Sequence, residues 1–433
     1  MLRKCGAHVG SVVSEVRREL QLPKRNEGAA LGSCVDFLDS PQGAPFNIKL
    51  PRLCTTLETS FSECPKFSAG EDFFMKLKAW LLGGALLMSA QAFAEQYWVP
   101  DNRPPRFCLQ NFNAYGPVYA KGIEERTGRM TALLQGIPKC DVVHLQEVWN
   151  DSQINQIEND LKRQYSISAP NKEERIGVMS LFMGDVKGTE THAFAVNNEG
   201  GVLDSVREAL NVRKAFHVVK SGFFGIDEDF YFINTHLHPT SEAVRLTQVM
   251  DLLRWRMKHQ DLKMLLSGDF NANVDSVERG FVMATLATRD AMEDAMGGYP
   301  KKGYCTYCAR NPLGWLFSDQ VFDYIFYSNV GQSATTLQVL DGQVNMQGTP
   351  RRPLSDHYGV RVEFSVDPKT SETNALGLEL RRSYALDNFA KAEKILAAAK
   401  EPEFKPYLEA LRKMTEQLQT KSGAFWNYFS SFR

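Results

Sequence analysis

Five short apolar runs limit this chain more than any other feature of it. They are DVVHLQEVW (141–149), FYFINTHLHP (230–239), KMLLSGDFN (263–271), FDYIFYSN (322–329) and HYGVRVEF (357–364). Each has the length and the β-branched and aromatic content of a strand. Between them, residues 129–137, 153–165 and 241–259 carry apolar side chains at helical spacing, with Val244, Val249, Leu252 and Leu253 defining one buried face of the last. Strands interleaved with amphipathic helices bury both only by stacking in layers, so the pattern predicts an α/β (α+β) domain with helices outside sheets. A chain of 433 residues has room for one large domain of this kind with appendages. No internal repeat of fixed period interrupts the reading.

Both ends differ from this centre. From Met75, the stretch MKLKAWLLGGALLMSAQAFAEQ has two early lysines, an apolar core over 79–90 and a small-x-small ending at Ala92-Phe93-Ala94. That is the layout of a bacterial-type signal peptide, residues 75–94. Its core is shorter than the roughly 20 residues that span a bilayer, so an anchor is the weaker reading, and a buried helix weaker still. Translation from Met75 would make residues 1–74, with four cysteines scattered among Pro, Gly and Ser, a non-native or disordered extension. The mature chain would then be secreted or periplasmic. Past Glu95 only Cys108, Cys140, Cys305 and Cys308 remain, an even number suited to an oxidising compartment. Cys305-Thr306-Tyr307-Cys308 lacks a second pair or neighbouring histidines, which favours a local disulfide or loop staple over a zinc site.

The predicted catalytic domain covers 95–365 and a helical extension covers 366–433. Pro402 and Pro406 are expected to break that extension. Its closing GAFWNYFSSF sets Phe425, Phe429 and Phe432 on one helical face. Packing back onto the catalytic domain is the leading expectation, with peripheral membrane or partner contact as the alternative. The formal net charge of −1 gives no polybasic surface, though a local basic cleft remains compatible with it.

Polar groups collect where the apolar runs stop: Glu147, His236, Asp269 with Asn271, and Asp356-His357. Singly, each reads as a turn former or helix cap. Together, acids and amides are the hard oxygen donors that Mg2+ prefers, and two histidines beside them suit phosphate binding and proton transfer.

The segments NFNAYG, LQEVW, NTHLHP, SGDFNAN, FDYIFY and LSDHYG occur in the order and rough spacing of the endonuclease/exonuclease/phosphatase superfamily, over residues 106–364. Within it, the LQEVW wording and the exported context are most similar to the neutral sphingomyelinase-type phospholipases C. The resemblance implies a four-layer sandwich of two mixed β-sheets flanked by helices, with a C-terminal helical appendage. It implies that Glu147, Asn113 and Asp356 hold Mg2+ or another divalent cation such as Mn2+, with Asn111 a rival to Asn113 on the same strand face. His236 would contact the scissile phosphate. Asp269 would orient the attacking water and take its proton, and Asn271 would hold that water or a phosphate oxygen. His357 would bind or protonate phosphate oxygens, with Asp323 behind it setting the tautomer.

Some positions depart from the family. Residues 176–188 lie where many relatives carry a Ser-Arg strand and a polar catalytic residue. No counterpart is found here, and Asp185 and Tyr165 are poor candidates on spacing. His238 reads as a structural residue, with substrate contact as the alternative, and Arg245 and Gln248 read as packing and hydrogen-bonding residues. Lys214 and Arg213 are available as phosphate-binding charge, with a solvated surface as the default. The implied activity is an exported, metal-dependent phosphodiesterase acting on a phospholipid headgroup or nucleic acid. A secreted nuclease and a catalytically inactive binding protein are the alternatives, and no protein partner is predicted.

Overall fold

The structure is a computed structural model. It describes residues 104–431 except 118–119, 137–138, 171–173, 199–212, 224, 301–302, 315–317, 331–334 and 370–374. The expected extension at 1–74 and signal peptide at 75–94 lie outside the described residues.

The chain enters on β1 (Arg106–Asn113) and continues through α1 (Ile123–Leu134), β2 (Val142–Gln146), α2 (Asp151–Leu161), β3 (Ser166–Ser168) and β4 (Met179–Phe182). It crosses to β5 (Asp185–Ala193), β6 (Ala215–Gly222), β7 (Asp229–His236), α3 (Glu242–Arg256) and β8 (Lys263–Asp269). Next come α4 (Val277–Thr285), β9 (Arg289–Asp290), α5 (Ala291–Met296) and β10 (Asp323–Ser328). The domain closes with β11 (Thr335–Asn345), the hairpin of β12 (Gly348–Thr349) and β13 (Arg352–Pro353), and β14 (Gly359–Pro368). Two mixed six-stranded sheets result, ordered β11-β14-β1-β2-β4-β3 and β5-β6-β7-β8-β10-β9.

Strand periodicity explains why the sheets face each other. On β1, Phe107 and Leu109 enter the core between the sheets, whereas Cys108 and Phe112 pack outward under α1 and α2. On β7, Phe230 and Phe232 point inward while Tyr231 and Ile233 join the core beneath α3. The same two-residue repeat then changes chemistry along each strand. Towards the strand ends the inward positions become Asn111 and Asn113, His144 and Gln146, Asn234 and His236, and Ser267 and Asp269, all buried. The space between the sheets is therefore apolar at one end and polar at the other.

In the polar part, buried groups hydrogen-bond one another across the sheets. Gln146 Nε2 donates to Asn111 Oδ1 at 2.9 Å and to Asn234 Oδ1 at 2.7 Å. Asn234 Nδ2 donates to the carbonyls of Leu145 and Met179, and His144 Nδ1 meets Ser267 Oγ at 2.7 Å. Burial pushes the His144 imidazole down to about 3, which keeps it neutral.

Helix starts follow local capping. Asn150, Ser241 and Ser276 each accept a backbone N–H of the first turn of α2, α3 and α4 with their side chains. At the C-terminus lie α6 (Ala375–Ala398), a 3-10 turn (Pro402–Phe404), α7 (Lys405–Gln419) and α8 (Gly423–Ser430). Pro402 separates α6 from α7 as expected. Pro406 breaks nothing: it sits in the first turn of α7, where no backbone N–H is needed. Phe389, Leu396, Leu411, Phe425, Tyr428 and Phe429 share one core with α3 and α4. The aromatic stripe thus faces protein, and Phe432 lies outside the described residues. No helix among the described residues is long and apolar enough to cross a membrane.

Candidate active site

Register brings three predicted residues abreast. In the second sheet His236 on β7 pairs with Asp269 on β8, and Asp269 pairs with Asp323 on β10. Gly268 makes the first pairing possible, because a Cβ there would fall 1.9 Å from the Thr235 carbonyl oxygen. From the first sheet, Asn113 ends β1 and Glu147 follows β2. Asp356 and His357 arrive in the turn before β14. The backbone turns sharply at two of these positions: Glu147 at φ 56° and Asn271 at φ 49° are both left-handed. Asn tolerates this conformation, whereas a Glu there is held by its surroundings.

Asp269 is the hub. Its Oδ2 accepts from Asn113 Nδ2 at 3.0 Å and lies 3.4 Å from His236 Nε2 and 3.7 Å from His357 Nε2. Its Oδ1 accepts the Asn271 backbone N–H at 2.9 Å. His357 Nδ1 in turn meets Asp323 Oδ2 at 2.7 Å. Glu147 Oε1 stands 4.0 Å from His236 Nε2. Asn271 spends its side-chain amide on the Leu237 carbonyl at 3.1 Å. The two sheets therefore converge His236, Asp269, Asp323, His357, Asn113 and Glu147 on one cluster at the polar end of the sandwich. Asp356, buried beside them, accepts from Ser355 Oγ at 3.2 Å and adds its negative charge to that of Glu147.

Buried charge sets the protonation states. Burial, then the charge of Asp356, raises Glu147 to about 7. Burial raises Asp269 to about 6, against the opposing pull of His357. Burial also raises Asp356. Burial alone would depress the His357 imidazole, but Asp323, Asp269 and Asp356 outweigh it and hold it well above its ordinary value. Near neutral pH the site thus has an ionised Asp269 beside a charged His357, a base and an acid side by side.

Two groups of ligand atoms, Glu147 with His236 and Asp269, and Asp269 with Asp323 and His357, each lie within 4.8 Å of one another. Asp323 Oδ1 is buried with no hydrogen-bond partner. Crowded carboxylates with an unsatisfied oxygen fit a divalent cation.

Several residues outside the predicted set shape the site. Lys214, expected on a solvated surface, is instead buried, 5% exposed. Its Nζ lies 5.5 Å from the Trp149 ring centroid, and that ring stacks on His236 at 6.0 Å. Its charge favours the ionised forms of Glu147 and Asp269. Gly177 leaves space for Trp149, since a Cβ would fall 1.9 Å from the indole nitrogen. Arg126, also buried, ties the Tyr115 and Leu354 carbonyls together at 2.9 and 3.0 Å, joining the loops after β1 and before Asp356. A basic residue just before β6 and another on α1 carry no motif that would single them out.

Other sequence candidates serve structure. Asn111 donates to the Gly268 carbonyl and accepts from Gln146, so Asn113 alone of the pair reaches Asp269. His238 accepts the Ser241 N–H at the start of α3, Arg245 pairs with buried Glu278, and Gln248 accepts the His238 N–H. Asp185 is exposed on β5, and Tyr165 donates to the Cys140 carbonyl under α2. Neither joins the site.

The endonuclease/exonuclease/phosphatase family model matches residues 111–357, more than half of the chain, and the chain belongs to that family. Its two-sheet sandwich is the family's phosphodiesterase and nuclease type of fold. Among solved structures, an endonuclease/exonuclease/phosphatase from Bacteroides vulgatus is 17% identical with a TM-score of 0.49, over 61% of this chain and 100% of its own. TDP2 from C. elegans is 18% identical with a TM-score of 0.47, over 75% of this chain and 100% of its own. D. rerio TDP2 complexed with single strand DNA product is 18% identical with a TM-score of 0.47, over 60% and 99%. No curated protein matches the sequence.

Proposed function

We propose that this protein is an exported, divalent-metal-dependent phosphodiesterase. The observation that carries the reading is Asp269. It is a buried carboxylate raised to about 6 and fixed by Asn113 and Asn271, with two imidazoles within 3.7 Å. A base of that strength is largely ionised at neutral pH yet basic enough to take a proton from water. An anionic phosphodiester must lose part of its repulsion before water attacks. Charged His357 and Lys214 supply positive charge to its oxygens, and His236 offers them a hydrogen-bonding imidazole. Asp323 keeps the His357 proton directed toward the site by holding Nδ1. Glu147 and Asp356 would hold a divalent ion, which would polarise phosphoryl oxygens and stabilise the leaving oxyanion.

The substrate reading is a phospholipid headgroup such as that of sphingomyelin, resting on the LQEVW wording. A nuclease is the second reading, favoured because Phe425, Tyr428 and Phe429 of the aromatic tail are buried in the core. Export is supported by the Met75 segment and by two disulfides, Cys108–Cys140 and Cys305–Cys308.

Purified full-length protein with Mg2+ is to be incubated with sphingomyelin vesicles, plasmid DNA, RNA and a phosphoinositide. Phosphocholine release alone supports the first reading, and plasmid nicking that weakens with salt supports the second. Inertness on all four and on bis(p-nitrophenyl) phosphate, with Mg2+ still bound, would leave a binding protein on an enzyme's scaffold.

A further inference from the structure

We propose that Thr306, fixed in the turn closed by the Cys305–Cys308 disulfide, is a positioning residue for the Asp323–His357 pair; this rests on the hydrolytic reading above. The pair is vulnerable by construction. Asp323 starts β10 in one sheet, and His357 precedes β14 in the other. Their 2.7 Å contact depends on how the two strand ends are held together.

Thr306 holds both ends. Its buried Oγ1 accepts the backbone N–H of Phe322 at 2.9 Å and of Asp323 at 3.2 Å. Its carbonyl accepts the N–H of Tyr358, the residue after His357, at 2.7 Å. Its own N–H donates to the Gln320 carbonyl at 3.0 Å. One hydroxyl, with two lone pairs, thus serves two consecutive N–H groups, and the next atoms along the backbone secure the other partner's strand.

The rest of the turn points the same way. The Tyr307 ring meets the His357 ring edge-on at 5.0 Å and 78°. Asn311 Nδ2 donates to the Ser355 carbonyl at 2.8 Å, just upstream of Asp356. Cys305 and Cys308 are buried and pack against Tyr358. The disulfide closes a four-residue turn around Thr306, so the hydroxyl and the carbonyl keep their relative directions. The CTYC motif, too sparse for a zinc site, has a structural use that is local to the site.

The test uses the full-length protein and bis(p-nitrophenyl) phosphate. Thr306→Val keeps the shape and removes the hydroxyl. The expected result is a kcat roughly 10- to 100-fold lower with KM changed less than about threefold, the size of effect a misplaced catalytic group produces. Thr306→Ser restores the hydroxyl and should return kcat to within about threefold of the parent. A second readout needs no metal or turnover: the low-field proton resonance of His357 Nδ1–H, assigned by its loss in His357→Gln. It should persist in Thr306→Ser and disappear or shift in Thr306→Val. If Thr306→Val does not fold, the Cys305→Ala/Cys308→Ala protein gives the same comparison, with a smaller kcat loss and a shifted resonance expected. An unshifted resonance with parental kcat in the folded variant overturns the proposal, as does a loss that Ser fails to rescue. A parent protein with no hydrolysis would sink the hydrolytic reading, while the resonance comparison would still judge the positioning role.

Discussion

Asp269 shows how the site works at the scale of single residues, because its pair of oxygens faces opposite demands. Oδ1 is tied to the backbone of Asn271, and Oδ2 faces Asn113 and two imidazoles. Asp269→Asn would keep the shape and lose the base, with kcat on bis(p-nitrophenyl) phosphate falling about 100-fold or more and the circular dichroism unchanged. Lys214→Met would chiefly raise KM, because it removes charge from the anion's surroundings. A kcat loss with unchanged KM would move Lys214 out of substrate binding. The raised carboxyls also predict a pH dependence of stability. Unfolded, Glu147 and Asp269 titrate near 4.5 and 3.8; folded, they titrate at about 7 and about 6. Between about 4 and 7 the folded protein binds more protons, so metal-free stability from these groups is present at low pH and falls as pH rises through that window. Added Mg2+ should therefore raise Tm more at pH 8 than at pH 5, measured by thermal unfolding with and without chelator. Equal increments at both pH values would refute a carboxylate-held ion.

At the scale of elements, β7 and β8 must run close enough to set His236 against Asp269. Gly268 is where that closeness is enforced. Gly268→Ala would push its Cβ into the Thr235 carbonyl, destabilising the fold by about 1–3 kcal/mol and lowering activity beyond what the stability loss explains. Urea unfolding and kcat on the same preparation check both. The runs that formed the central strands were legible because β7, β8 and β10 are buried on both faces and read as apolar. The edge strands were not. DVKGTETHA of β5 is largely exposed and polar, and TTLQVLDGQVN of β11 is mostly half-buried with its few apolar residues broken by polar ones. They form because neighbours offer a ladder of unpaired backbone groups.

The whole molecule decides the fate of the C-terminal helices. Phe389, Leu396, Leu411, Phe425 and Phe429 complete the core over α3 and α4, so a chain ending at residue 369 would expose the apolar faces of both helices. Such a truncation is expected to aggregate or lose its cooperative transition, as light scattering and thermal unfolding would show. A monomeric, fully active truncation would contradict that packing. The same scale explains Lys214. In sequence it stands between exposed Arg213 and the apolar run of β6, and its cationic contact is with Trp149, 65 residues earlier, across the sandwich.

The sequence by itself determined the layered class, the central strands, and the acids, amide and imidazoles at their ends, because strand periodicity and abrupt polar stops are local properties. Tertiary structure alone decided which of Asn111 and Asn113 reaches Asp269, where Lys214 points, that Pro406 starts a helix, and that the CTYC turn clasps two strand ends. Each depends on register or on contact between segments far apart in the chain. Those are fixed by pairing and packing energies that no single stretch of sequence contains.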